Sequence, residues 1–395
     1  MADTDTAVRA PDPVDWPTAR RVARFIAGRE PLADSYLAAS LHDDFTAVTA
    51  RAEDLVAGYT GLRAPGHASA AVLDRHDWVE SNITSMQTML DPLMQKFGER
   101  VARNPFAPIS RRVAATELGG LLGYMAQRVL GQYDLLVPES ADAAEPGDAG
   151  GADRRGGGAE VDQWSGMAQR GSHVADNGAT ADAVYYVGAN ILALEKRFAF
   201  RPLDFRLWIA IHEVTHRAQF TGVPWMRDYF LGLVRQALDL VDPDPKTVMR
   251  ALTSAVEEIR AGRNPLDDGG LIGLLASPEQ RGVLGQVQAL MSLLEGHGNV
   301  VMDDLGKEYV AGQERMSRVL QQRRQRGGIS GLVQKLFGLE QKMRQYEVGE
   351  KFVRGVHELA GPRALDRVWD APTSLPTLPE LTDPACWLAR VGVAV

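Results

Sequence analysis

Leu207-Trp208-Ile209-Ala210-Ile211-His212-Glu213-Val214-Thr215-His216-Arg217-Ala218-Gln219-Phe220 decides how the rest of the chain is read. Apolar residues fall on every side of a helix drawn through it, the pattern of a buried helix rather than a surface one. Two imidazoles four positions apart lie one turn apart on the same face. Both can therefore reach one cation at the distance of about 2.0–2.1 Å that zinc requires. Glu213 projects to the side of that face, where it can take a proton from metal-bound water without occupying the metal. Two histidines and a carboxylate are costly inside a protein unless paired or ligated. Pro202-Leu203-Asp204 supplies the helix start, with Asp204 as N-cap, and Gly222 with Pro224 ends it.

A catalytic zinc site needs a third protein ligand and an open fourth position. Met291 to Asp303 supplies a second polar cluster inside a long apolar helix. There Glu295, Asn299 and Asp303 share a face at i, i+4 and i+8. Glu295 leads that stripe and is the preferred ligand, with Asn299 or Asp303 placed to accept the outer N–H of a liganding histidine. His297 competes for the same place. It lies about 200° round the helix from Glu295, so one of the two faces the site and the other does not. A functional alternative for His297 is a swing into the cleft as an oxyanion stabiliser. Tyr346, with Arg344, is a second candidate for that role, against the plain reading of Leu339–Phe352 as a charged surface helix.

These residues point to a hydrolase in which Zn2+ polarises a peptide or amide carbonyl and Glu213 is the general base. The contrasting reading is a zinc-stabilised helical scaffold that binds a partner and catalyses nothing.

Composition narrows the setting. The chain has 395 residues and a mild net charge of −8, which favours solubility and gives no support to nucleic-acid binding by the chain as a whole. Its one cysteine, Cys386, rules out an internal disulfide and any all-cysteine zinc site, leaving imidazole and carboxylate as donors. The segment up to Trp16 lacks the apolar run of a secretory signal, and no run of 18 apolar residues suggests a membrane span. A cytoplasmic location is expected. Arg315, Arg318, Arg323, Arg324 and Arg326 form a basic run, read as a solvated helix end in preference to a nucleic-acid or acidic-partner patch.

The chain reads as mainly α. Residues 1–14 are expected to be disordered and 15–138 to be a helical region. Residues 139–180 carry eight acids against three arginines, and their Gly/Ala/Asp-rich composition predicts a disordered insertion. A metal-binding region over 181–371 packs on 15–138, and 372–395, with four prolines from Pro372 to Pro384, reads as an extended tail. Val184-Tyr185-Tyr186-Val187, continuing to Asn190-Ile191-Leu192, predicts a small β element before the histidine helix. Further helices are predicted over Trp225–Leu240, Pro245–Ala261, Pro278–Asp304, Lys307–Arg324 and Leu332–Leu359.

His212-Glu213-Val214-Thr215-His216, with Glu295 on a later helix, resembles the Glu-zincins, a class of zinc metallopeptidases. In that class the downstream Glu is the third ligand, and an acidic or amide residue four positions later supports a histidine; Asn299 matches that place. More narrowly, Ile211–Phe220, Leu294-Glu295-Gly296-His297 with Val301-Met302-Asp303, and Gly338–Tyr346 resemble a family of bacterial zincin-like hydrolases associated with deazaflavin-coenzyme biosynthesis. The resemblance spans roughly residues 15–380 apart from 139–180, and implies a mainly helical zincin-like fold with a metallopeptidase-like role.

Overall fold

A computed structural model of the chain describes residues 12, 14–30, 35–102, 107–135, 183–239, 278–325 and 339–394. Within these, the side chains of residues 36, 92–102, 278, 324–325 and 339–346 are outside the description. The expected N-terminal disorder (all but residues 12 and 14), the 139–180 insertion and the helix over Pro245–Ala261 therefore lie outside the described residues.

The fold is mainly α. Its helices are α1 (Trp16–Ala27), α2 (Tyr36–Ala39), α3 (Leu41–Thr60), α4 (Arg75–Ala102) and α5 (Ala107–Ala126), then α6 (Gly188–Phe198), α7 (Pro202–Thr221) and α8 (Met226–Asp239). They continue with α9 (Pro278–Tyr309), α10 (Gln313–Gln325), α11 (Leu339–Ala360) and α12 (Pro384–Arg390). Among the described residues, β1 (Ser69–Leu73), β2 (Gly131–Tyr133) and β3 (Ala183–Val187) form one sheet in the order β1-β3-β2. β1 runs parallel to β3, with Ser69 opposite Ala183, and β2 runs antiparallel to it, with Gly131 opposite Tyr186.

β3 is buried along its whole length, which is why its sequence reads as an unbroken apolar run rather than an alternating one. Its side chains still alternate between two layers. Val184 and Tyr186 face a core built with α3 and α7. Ala183, Tyr185 and Val187 face a second core with Trp16 of α1, Trp78 of α4 and Leu122 of α5. α7 is thus held between the sheet and α3 on one side and α9 on the other. From Phe205 to Phe220 every residue of α7 is buried except His212 and His216.

Two guanidiniums inside this packing are ion-paired, as burial demands. Arg206 forms a two-pronged bond to Glu195 of α6 at 2.8 and 3.0 Å, and also pairs with Asp44 of α3. Arg217 donates to Glu53 of α3 at 2.7 Å and to the Pro65 carbonyl at 2.8 Å.

α9 and α11 meet closer than ordinary side chains allow. A Cβ on Gly349 would lie 1.8 Å from the Ser292 carbonyl oxygen, and one on Gly296 would lie 2.2 Å from the Gly349 carbonyl carbon. The end of the chain wraps α11 and shares a core with it through Phe352, Val356, Leu365 and Trp387.

Several expectations change here. The strand expected to run through Leu192 stops at Val187, because Gly188 opens α6 and Asn190 spends its amide on the Ala126 and Val129 carbonyls at 2.8 and 2.6 Å. The region 15–138 is not purely helical: it contributes β1 and β2, short strands that exist by pairing with β3. Asp204 does not cap α7. Arg201 holds the cap position in extended backbone, and Asp204 sits in the first turn, paired with Arg201 at 3.0 Å. α9 runs on to Tyr309, and the break falls at Gly312, whose φ of 81° only glycine adopts without strain. The tail is not extended. Its prolines open the short 3-10 turn Pro372–Ser374 and then α12, at the first position where a missing N–H costs nothing, as Pro362 does for the 3-10 turn Pro362–Trp369 just before the tail. Arg390 fastens these turns through Glu380 at 2.6 Å and the Thr373 and Leu375 carbonyls. In the basic run, Arg315 donates to the Phe198 carbonyl, and Arg323 to that of Gln127.

Gly349→Ala is expected to lower stability by about 1–3 kcal/mol, because neither backbone at the α9–α11 contact can retreat freely. Gly282→Ala, at a helical glycine with nothing within 4 Å of the added carbon, is expected to be neutral or mildly stabilising. Denaturant unfolding of the two variants checks the contrast.

Candidate metal centre

α7 carries His212 and His216 on its one accessible stripe, and α9 brings Glu295 to it. The His212 and His216 Nε2 atoms are 3.2 Å apart, and each lies 3.7 Å from the same Glu295 oxygen, Oε2. These three are the group of His, Cys, Asp and Glu side chains that could hold a metal ion among the described residues. Donors set about 2.0–2.1 Å from one tetrahedral centre stand about 3.3 Å from each other, so the observed spacing fits a shared cation. All three side chains are partly accessible, at 13 to 21%.

The approach of α9 depends on Gly298, one turn past Glu295. A Cβ there would come within 3.3 Å of the His212 ring and 3.4 Å of the His216 ring. On the far side of α9, Gly296 admits the backbone of α11. The two glycines on either side of His297 thus set the depth at which Glu295 meets the histidines.

Glu213 is buried beneath β2. A Cβ on Gly131 would fall 2.6 Å from its Cγ and 2.7 Å from its Oε1, so the absence of a side chain at Gly131 makes room for the carboxyl. Burial, and then the negative charge of Glu295, push this carboxyl up to about 8.

The hydrogen-bonding neighbour of His216 is a residue to which the sequence assigned no role. Gln219, fully buried, places Oε1 2.9 Å from His216 Nδ1. Its Nε2 donates to the Leu294 carbonyl at 3.0 Å and lies 2.8 Å from His297 Nδ1. His297 stays outside the converging trio. Its ring packs edge-on against Trp369, with centroids 5.2 Å apart, and burial, followed by the charges of His357 and His216, pushes it down to about 3. Asn299 is buried one turn beyond Glu295, with its Oδ1 lacking a hydrogen-bond partner among the described residues.

Asp303 does not support a histidine. Eight residues past Glu295 the helix has turned by about 80° from the starting face. Asp303 accepts from Gln313 of α10 at 2.8 Å and lies 3.8 Å from Arg354 of α11. The side chains of Tyr346 and Arg344 lie outside the described residues.

Across residues 14–388 the sequence matches the model of the zincin-like metallopeptidase family. The chain belongs to that family. Its zincin-like architecture is also similar to a crystal structure from Chloroflexus aurantiacus described as "a putative hydrolase with a novel fold". The two share 29% identity and a TM-score of 0.64, over 97% of this chain and 100% of that one. No curated protein matches the sequence. Family membership makes this zincin-like chain a hydrolase of metallopeptidase type, and implies zinc as its metal. No helix among the described residues is long and apolar enough to cross a membrane.

Arg217 neighbours His216 in sequence but points to the opposite side of α7, where Glu53 and Pro65 occupy it. Arg217→Met is therefore expected to cost about 1–3 kcal/mol of stability by removing the arginine partner of Glu53, which keeps the Ala68 N–H at 2.9 Å, while zinc affinity of the folded fraction stays within about twofold. Melting curves and zinc titration of the variant check both halves. Restored stability in Arg217→Met combined with Glu53→Leu would trace the loss to the broken pair.

Proposed function

We propose that the chain is a zinc-dependent hydrolase of peptide or amide bonds, with His212, His216 and Glu295 as the metal ligands and Glu213 as the general base. The observation that carries this reading is the convergence of two imidazole nitrogens and one carboxylate oxygen, 3.2 to 3.7 Å apart, in a partly open cleft. Zinc held by these three side chains would supply Lewis acidity, polarising a carbonyl and lowering the pKa of a water.

The chain's own groups do the rest. Glu213 sits on the residue after the first histidine, too far round the helix to join the trio, and is shielded from bulk water. Without a cation its raised pKa keeps it largely protonated at pH 7; a nearby divalent charge favours the carboxylate, the form that accepts a proton. The same oxygen can then pass that proton to a departing amine. β2 supplies a place for the substrate. It is one of the two edge strands of the sheet, the one that begins at Gly131 directly over Glu213, and an extended peptide adds to such an edge by main-chain hydrogen bonds.

Metal-free protein is expected to take up about one zinc per chain in calorimetric titration. His212→Ala or His216→Ala should weaken binding by more than about 100-fold, beyond what loss of a supporting residue does. Two zinc-binding histidine variants of wild-type affinity would remove the proposed ligand set.

Glu213→Gln should bind zinc as tightly as wild type yet lose about 10²–10⁴-fold in turnover of a mixed peptide and amide library. Equal turnover by wild type and Glu213→Gln would rule out the general-base role.

A further inference from the structure

We infer that Gln219 is a positioning residue that sets the tautomer of His216, with the Leu294 carbonyl fixing which way its carboxamide faces. This rests on the reading above that His216 offers Nε2 to a metal. The hydrogen bonds alone fix each proton. The Leu294 backbone carbonyl can only accept, so the Gln219 atom 3.0 Å from it is the NH2 nitrogen. That assignment places the carboxamide oxygen at His216 Nδ1, 2.9 Å away, and an oxygen there requires Nδ1 to carry the hydrogen. The lone pair of a neutral His216 is then on Nε2, the atom that faces His212 and Glu295. The second amide hydrogen goes to His297 Nδ1 at 2.8 Å, so His297 accepts there and carries its own hydrogen on Nε2.

Turning the carboxamide over would set its oxygen against the Leu294 carbonyl oxygen, and neither can donate; the two imidazoles could answer a flip by changing tautomer, so the Leu294 carbonyl alone fixes the orientation. Gln219 is fully buried, so no water relieves that clash. A backbone carbonyl on α9 therefore orients an amide on α7, and the amide sets the ring. Loop-free helix geometry makes this possible: Gln219 follows His216 by three residues on the same face, and Leu294 and His297 flank Glu295 on the facing helix. The same helix segment that brings Glu295 to the centre also orients the ligand already there.

The test uses metal-free full-length protein labelled with ¹⁵N-histidine, with the His216 ring signals identified by their loss in His216→Gln. Wild type is expected to show His216 protonated on Nδ1, in slow exchange. Gln219→Glu, which keeps an oxygen in place, should retain that state. Gln219→Leu should lose it and bind zinc about 10–100-fold more weakly. A role confined to packing would leave the ring proton where it is in Gln219→Leu. A proton on Nε2 in the wild type overturns the inference whether or not the variants fold. So does a Gln219→Leu protein with wild-type tautomer and zinc affinity. Failure of wild type to bind zinc with the Nδ1 proton in place would instead sink the metal reading and leave the tautomer assignment standing.

Discussion

Contact between the bare backbone of α9 at Gly298 and the two imidazole edges of α7 is the constraint around which the site is organised. A Cβ there would meet the rings at 3.3–3.4 Å, so a side chain at residue 298 would press on both imidazoles and displace them by a few tenths of an ångström. Two turns of α9 thus carry three distinct fits. Gly296 receives α11, Glu295 and Gly298 address the histidines, and Leu294 and His297 address Gln219. The alternation of glycine with functional residues in Glu295-Gly296-His297-Gly298 follows from a helix squeezed from both sides. Helix propensity alone would disfavour two glycines there, at about 1 kcal/mol each. Close packing is what offsets that cost.

The rest of the fold braces α7 against movement. The sheet and α3 cover one side, paired arginines pin it at Arg206 and Arg217, and only the two histidines remain accessible along its middle. A helix so enclosed has little freedom to rotate or slide. The imidazoles therefore hold their mutual geometry without help from a cation, and a carboxyl buried beside them has few ways to escape its raised pKa. This is pre-organisation in the ordinary sense: the groups are placed by packing before anything binds.

What could be read in the sequence was whatever depends on one helix at a time. The spacing of His212 and His216, the flanking position of Glu213, and the rule that only one of Glu295 and His297 can face the site all follow from 100° per residue; the preference for Glu295 came from its place at the head of the polar stripe. So does the mainly α character of the chain. What could not be read depends on a second element. β1 and β2 are three to five residues long and owe their conformation to β3. Gln219 acquires meaning only once Leu294 and His297 stand opposite it, and Gly131 only once Glu213 lies beneath it. Asp303 kept the stripe's spacing but lost its direction as the helix turned. The prolines of the tail were legible as interruptions and misread as extension, because proline is equally at home in extended chain and in the first turn of a helix.

The order in which these pieces leave the ribosome has a consequence of its own. β1 pairs with a strand more than 100 positions later, and the acid that completes the histidine pair follows it by about 80. Until α9 is synthesised, the nascent chain holds an apolar helix with one flank uncovered and only two of the three side chains that converge in the folded chain. Such long-range closure is slow and leaves sticky surface waiting. Early release of the chain, for instance by truncation before residue 278, would then yield an aggregation-prone fragment rather than a smaller working enzyme.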